Sequence, residues 1–213
     1  MDKELFDEIS QEIAILINSG FFNQEEILEI IEEQFIDEDF VDDEDSLDKI
    51  ANIISKEYDE KIAISKDWEK PTDFDKLKTC FNELNQNNII AIHNAGYDIK
   101  EGIADSFEIF HYLKSKKFNP IGFCFYTFED IEIAIDSNSI SFVFGDFDDD
   151  PKKSEEIGNI IAKTFKNNDF LVKWDNDINE KIAIDPFIWK KHFDNEEYEM
   201  EGAFNYYLAN NSI

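Results

Sequence analysis

Two short stretches place histidine or carboxylate side chains where a strand would hand over to a loop. The first is HNAGYD, residues 93–98, which follows the apolar run NNIIAI. An imidazole at 93 can act as a general base, and a carboxylate five residues on can orient it, so His93 and Asp98 form a candidate acid–base pair. The simpler reading gives His93 a local hydrogen bond at the strand end and Gly96 a turn. The second stretch is FYTFED, residues 125–130, where Glu129 and Asp130 stand at the start of a helix. Carboxylates at that position complement the positive end of the helix dipole. That explains them without catalysis; the sharper alternative is a paired acid–base or metal role.

Other signals for chemistry are weaker. In GDFDDDP, residues 145–151, Asp146, Asp148 and Asp150 alternate as in a calcium loop. An EF-hand also needs Gly at its sixth position and Glu at its twelfth, and Pro151 and Ile157 stand there. A solvated loop feeding a helix capped by Asp150 fits better. His93, His111 and His192 are far apart and form no HExxH pattern, so neither metal nor cofactor is expected. The chain has no GxSxG nucleophile elbow and no phosphate-binding GxxxxGK[ST]. Cys80 and Cys124 lack CxxC spacing and sit in apolar patterns, which predicts buried free thiols.

Charge narrows the partners. The net charge is −30, which repels nucleic-acid phosphates and anionic membranes and attracts basic proteins. Solubility alone is the plainer explanation of such a surplus. The surplus is uneven: residues 1–66 carry 21 acids against 5 lysines, a balance of −16. The densest part is IDEDFVDDEDSLD, 36–48, with eight acids in thirteen positions, read as a solvated loop. Within it Asp37, Glu38, Asp39, Asp42, Asp43, Glu44 and Asp45 are the candidate partner-binding residues. No apolar run reaches the ~20 residues that span a bilayer, and the N-terminus lacks a basic, then apolar, secretory pattern. A cytoplasmic protein is therefore expected.

The elements that would position these residues follow from periodicity. Leu5, Ile9, Ile13 and Leu16 recur at helical spacing, and Gly20 is a natural stop. Asn23 with Glu26 resembles a capping box before a second helix lined by Ile27, Ile30, Ile31 and Phe35. Leu47, Ile50, Ile54 and Tyr58 define a third. Beyond Thr72, strands at 87–93, 121–126 and 140–145 alternate with helices at 72–85, 100–114, 127–135 and 151–167. The helix at 100–114 carries Ile103, Phe107, Phe110 and His111 on one side.

The pentapeptide EKIAI occurs twice, at 60–64 and 180–184. Its flanks do not align, so it is not read as a repeat. The first copy continues the third helical stripe. The second follows FLVKW and the turn-forming Asp175-Asn176-Asp177, and predicts a strand in a hairpin with 170–174. Trp174 and Trp189 are expected to be largely buried beside that hairpin.

WEKPTDFDKL (68–77), NIIAIHNAGYDIKEG (88–102), IGFCFYTFEDIEIAI (121–135), SFVFG (141–145), EIGNIIAKTF (156–165), LVKWD (171–175) and KIAIDPFIW (181–189) together resemble an uncharacterised bacterial family known only as a domain of unknown function. The resemblance covers about 1–192 and carries no activity. Two positions depart from its pattern. Thr127 stands where a histidine is expected, and Asn176-Asp177 stands where a glycine is expected after Trp-Asp. Were that histidine catalytic, its absence would count against an enzyme.

The sequence thus predicts an α+β protein, with a helical N-terminal part and a mixed five-stranded sheet covered by helices. Its parts are an acidic helical region at 1–66, an α/β sheet domain at 67–193 and a helical tail at 194–213. Two functions stand side by side. One is a non-enzymatic protein-binding or regulatory module, immunity-like, that engages a basic protein and neither nucleic acid nor membrane. The other is a small-molecule enzyme whose site lies near His93, Asp98, Glu129 and Asp130. Convergence of those four side chains in one pocket would favour the enzyme.

Overall fold

The structure is a computed structural model and describes residues 3–35 and 44–211. Asp37, Glu38, Asp39, Asp42 and Asp43 therefore lie outside the described residues. The fold is α+β, as the sequence predicts: eight helices and a five-stranded mixed sheet among the described residues. None of the helices is long and apolar enough to cross a membrane. The chain divides into two compact units, one running up to Thr72 and including Lys190–Asn195, the other comprising Asp73–Trp189 and the chain from Glu196.

The first unit holds α1 (Lys3–Ser19), α2 (Gln24–Phe35) and α3 (Glu44–Ser65), which pack on one another. Ile9, Ile13, Leu16, Ile17, Ile27, Ile31, Ile50 and Ile54 are buried, so the helical stripes supply the core. Gly20 at φ 75 ends α1. Asn23 Oδ1 accepts from the Glu25 and Glu26 amides at 2.8 and 3.0 Å, and Glu26 Oε2 accepts from the Asn23 amide at 2.7 Å, completing the capping box. The expected loop at 36–48 gives way earlier than predicted, because α3 already begins at Glu44.

In the second unit α4 (Asp73–Gln86), β1 (Ile89–Ile92), α5 (Ile99–Ser115), β2 (Gly122–Phe125), α6 (Phe128–Ser137), β3 (Ile140–Asp146), α7 (Pro151–Asn167), β4 (Val172–Lys173), β5 (Ile182–Ile184) and α8 (Met200–Asn211) follow in order. The strand order is β1-β2-β3-β5-β4, with β1 parallel to β2 and the remaining pairs antiparallel. Strand alternation sorts the core into two faces. Ile90, Ile92, Phe123 and Phe125 pack with Ile109 and Leu113 of α5 and Ala203 and Tyr207 of α8. On the opposite face Phe142 meets Phe81 of α4 at 6.0 Å and Phe165 of α7 at 4.7 Å between ring centres.

The inward face of α5 is not its large apolar stripe, and one expectation about packing, the burial of Trp174, needs correcting. Helix α5 buries Gly102, Ser106, Ile109 and Leu113, while Ile103 and His111 are exposed. A Cβ on Gly102 would come within 2.4 Å of the Phe125 ring, so the helix lies close to the sheet along its small residues. Phe107 and Phe110 are only partly buried, packed around Phe147. The large apolar residues of α5 thus flank its inward face and do not form it. Of the two tryptophans, Trp189 is buried but Trp174 is only partly so. The Trp174 ring meets Phe144 edge-on at 5.4 Å over Gly158, and its Nε1 donates to the Asp177 carbonyl at 2.9 Å. A two-residue strand at the sheet edge offers too little cover to bury an indole on both faces.

Candidate functional site

His93 continues the parity of Ile89 and Ala91 and so turns to the α4 face. Its ring stacks on Phe81 at 4.2 Å, with Phe74 at 5.4 Å and Tyr198 at 5.5 Å. Nδ1 and the Tyr126 hydroxyl lie 2.9 Å apart. Burial pushes the Tyr126 hydroxyl far above its ordinary range, so it stays protonated. His93 is 4% exposed. Beside it lies a cavity of about 10 Å³, lined among others by Lys78, Asn85 and Tyr198. That volume holds one water molecule and no organic substrate.

Asn94 follows at φ 54 and points the other way in hydrogen bonding, donating from Nδ2 to Glu199 at 2.9 Å. Its Oδ1 is buried and has no hydrogen-bond partner among the described residues. Gly96 sits at φ 65, and a Cβ there would meet the Glu101 side chain at 2.5 Å. Only glycine fits, because Glu101 reaches back to accept from the Tyr97 amide at 2.6 Å. Asp98 is the N-cap of α5 and accepts from the Lys100 and Glu101 amides.

The adjacent loop from β2 is tied to this one: the Phe128 amide donates to the Gly96 carbonyl and the Glu129 amide to the Tyr97 carbonyl. Glu129 is exposed. Asp130 is buried and has both oxygens engaged. Oδ2 accepts from the Thr127 amide and hydroxyl at 3.2 and 3.1 Å, and Oδ1 accepts from Lys181 Nζ at 2.7 Å. Thr127 in turn accepts from the Asp130 amide, closing a capping box on α6. Where the resemblance leads one to expect a histidine, this chain therefore has a buried helix cap.

The four candidate residues thus sit in neighbouring loops without converging. The His93 cavity is not lined by Asp98, Glu129 or Asp130. His93 faces the aromatic rings of α4, Asp98 and Asp130 cap different helices, and Glu129 faces solvent. Among the described residues, no group of three or more His, Cys, Asp or Glu side chains is placed to hold a metal. Asp146 shows why the aspartate-rich loop offers none: it accepts from the Ser154 hydroxyl at 2.6 Å and from the Asp148 and Asp150 amides. Burial alone would raise its carboxyl, but these hydrogen bonds outweigh that and hold it below the usual range. Asp150 caps α7 with Pro151 in its first turn.

Sequence reasoning missed Tyr126 and Lys181, whose roles appear only when strands distant in the chain are paired. It also missed Lys61. Burial pushes that ammonium down to about 8, while it donates to Asn18 Oδ1 at 2.9 Å and lies 5.2 Å from the Trp68 ring centre. Both cysteines are buried free thiols, and burial, aided by Glu83, raises Cys80 to about 12.

The family motifs map onto this packing. Asp73 of WEKPTD accepts from the Ile188 amide of KIAIDPFIW at 2.9 Å. Trp189 then closes on Phe74 and Tyr126. The chain matches the model of the domain of unknown function DUF6891 over residues 2–193. It belongs to that family. No curated protein matches the chain, and no solved structure does either. Asn176, in the pair Asn176-Asp177 that stands where the resemblance leads one to expect a glycine, adopts φ 72, a conformation that glycine takes freely and asparagine tolerates.

Proposed function

We propose that this DUF6891 chain is a non-enzymatic, acidic protein-binding or regulatory module of the immunity type, engaging a basic protein partner. The observation that carries the reading is the charge: −30 in all, with 21 acids against 5 lysines in residues 1–66. Asp37, Glu38, Asp39, Asp42, Asp43, Glu44 and Asp45 form its partner-facing segment. Such a density of like charge is relieved by a basic surface and raises the rate of encounter with one. The engagement of His93, Asp98 and Asp130 in internal packing and capping supports binding over catalysis.

Affinity capture from the native cell lysate at low and high salt tests this. A basic protein retained at low salt and lost at high salt is the expected result. Retention of only neutral or acidic proteins, indifferent to salt, would count against it.

A further inference from the structure

Helices α5 and α8 enclose an open groove of about 280 Å³, lined by Glu108, Ile109, Tyr112, Met200, Glu201 and Phe204. Its floor is apolar, since Ile109 is buried and Met200 and Phe204 are partly so. Tyr112 meets Phe204 edge-to-face at 4.7 Å and is 48% exposed. Its rim is acidic. Asp105, Glu108 and Tyr112 recur at helical spacing along one stripe of α5, about 10 Å long at ~1.5 Å per residue, and Glu101, which also accepts from the Tyr97 amide, continues it toward the loop. Glu201 of α8 adds to the field on this stripe. Burial raises the Asp105 carboxyl, and Glu108, Glu101 and Glu201 raise it further. None of these four carboxylates forms an ion pair among the described residues. The Tyr112 ring already takes one cation, with Lys116 Nζ 5.2 Å from its centre.

We infer that this groove docks a basic segment of a protein partner, which seats one large apolar side chain against Tyr112 and Phe204 and sets lysine or arginine against the carboxylates of α5 and α8. The length of the acidic stripe exceeds what a small amine contacts and matches a few residues of chain. A second copy of the protein would bring carboxylate against carboxylate. The inference shares a basic partner with the proposed function but rests on a different surface, so the two fail separately.

The test is fluorescence anisotropy on the full chain with a labelled peptide of three Lys-Leu-Lys-Lys repeats, beside an equally charged peptide of three Lys-Gly-Lys-Lys repeats. The leucine peptide should bind about tenfold more tightly. Glu108→Gln with Glu201→Gln should weaken it by about tenfold and reduce its salt dependence, and Phe204→Ala should erase its advantage over the glycine peptide. Both carboxylates are exposed, so the double variant tests the groove even if Phe204→Ala perturbs α8. Equal binding of the two peptides, or an unchanged affinity in the double variant, overturns the inference. So does displacement by phenethylammonium at the peptide's own concentration, or a concentration-dependent dimer abolished by Phe204→Ala. If Asp42→Asn, Asp43→Asn and Asp45→Asn together weaken the leucine peptide while the groove variant does not, the groove fails and the acidic segment stands. The converse leaves the groove standing alone.

Discussion

The loop after β1 and the groove between α5 and α8 are both rich in polar and aromatic side chains, and they differ in what those groups touch. At the loop, His93 is closed in by Phe74, Phe81, Tyr126 and Tyr198, and the neighbouring void of about 10 Å³ has room for one water. In the groove the volume is about 280 Å³, and the carboxylates have no cationic partner among the described residues. Polar groups that satisfy one another stabilise a fold and leave nothing over for a ligand. Polar groups that repel one another at a surface weaken the fold slightly and are relieved by a partner of opposite charge. The contrast separates histidine as structure from carboxylate as surface.

The largest expected effect sharpens the structural side. His93→Ala removes a stacked ring and orphans the Tyr126 hydroxyl, and should cost about 2–4 kcal/mol in urea denaturation. A loss below about 0.5 kcal/mol would show the imidazole to be dispensable for folding and would reopen it as a reactive group. Asp146→Ala comes next, at about 2 kcal/mol near neutral pH, because three donors lose their acceptor. Since the folded-state carboxyl is depressed, this contribution is present above the ordinary carboxylate range of ~4 and is lost as pH falls through the lower folded value. The gap between variant and parent should therefore close in acid; a gap constant from pH 7 to pH 2 would contradict the assignment. The smallest effect has the opposite sign. Asp105→Asn should stabilise the fold by about 0.5 kcal/mol at neutral pH by removing one of the crowded charges. Because the folded-state Asp105 carboxyl is raised, the penalty is absent below the unfolded pKa and present above the folded one, so the gain should vanish on acidification. Destabilisation at neutral pH would mean that Asp105 has a stabilising partner and that the groove is not frustrated.

The two copies of EKIAI show how far the sequence carries. Periodicity alone placed Ile62 in a helix and Ile182 and Ile184 in a strand, because the first copy extends a stripe from Ile50 and Ile54 and the second alternates before Pro186. What each lysine does depends on distant chain. Lys61 packs near Trp68 and bonds Asn18, while Lys181 pairs with Asp130 across 51 positions. The caps Asn23 and Asp150 were legible because caps are local, whereas Asp98, read as the orienter of His93, caps α5 instead. The groove was not legible. It needs the close approach of α5 to Phe125 at Gly102, and it needs α8 brought beside α5 from the far end of the chain.

The central claim is that the acidic surplus binds a basic partner. Stopped-flow association of the captured partner with the parent chain and with the Asp42→Asn, Asp43→Asn, Asp45→Asn variant, at low and high ionic strength, tests it most directly. The parent rate should fall steeply with salt, by about tenfold or more, and the variant should start slower and fall less. Equal rates and equal salt slopes in the two proteins would contradict the claim and leave the segment as solubilising surface alone.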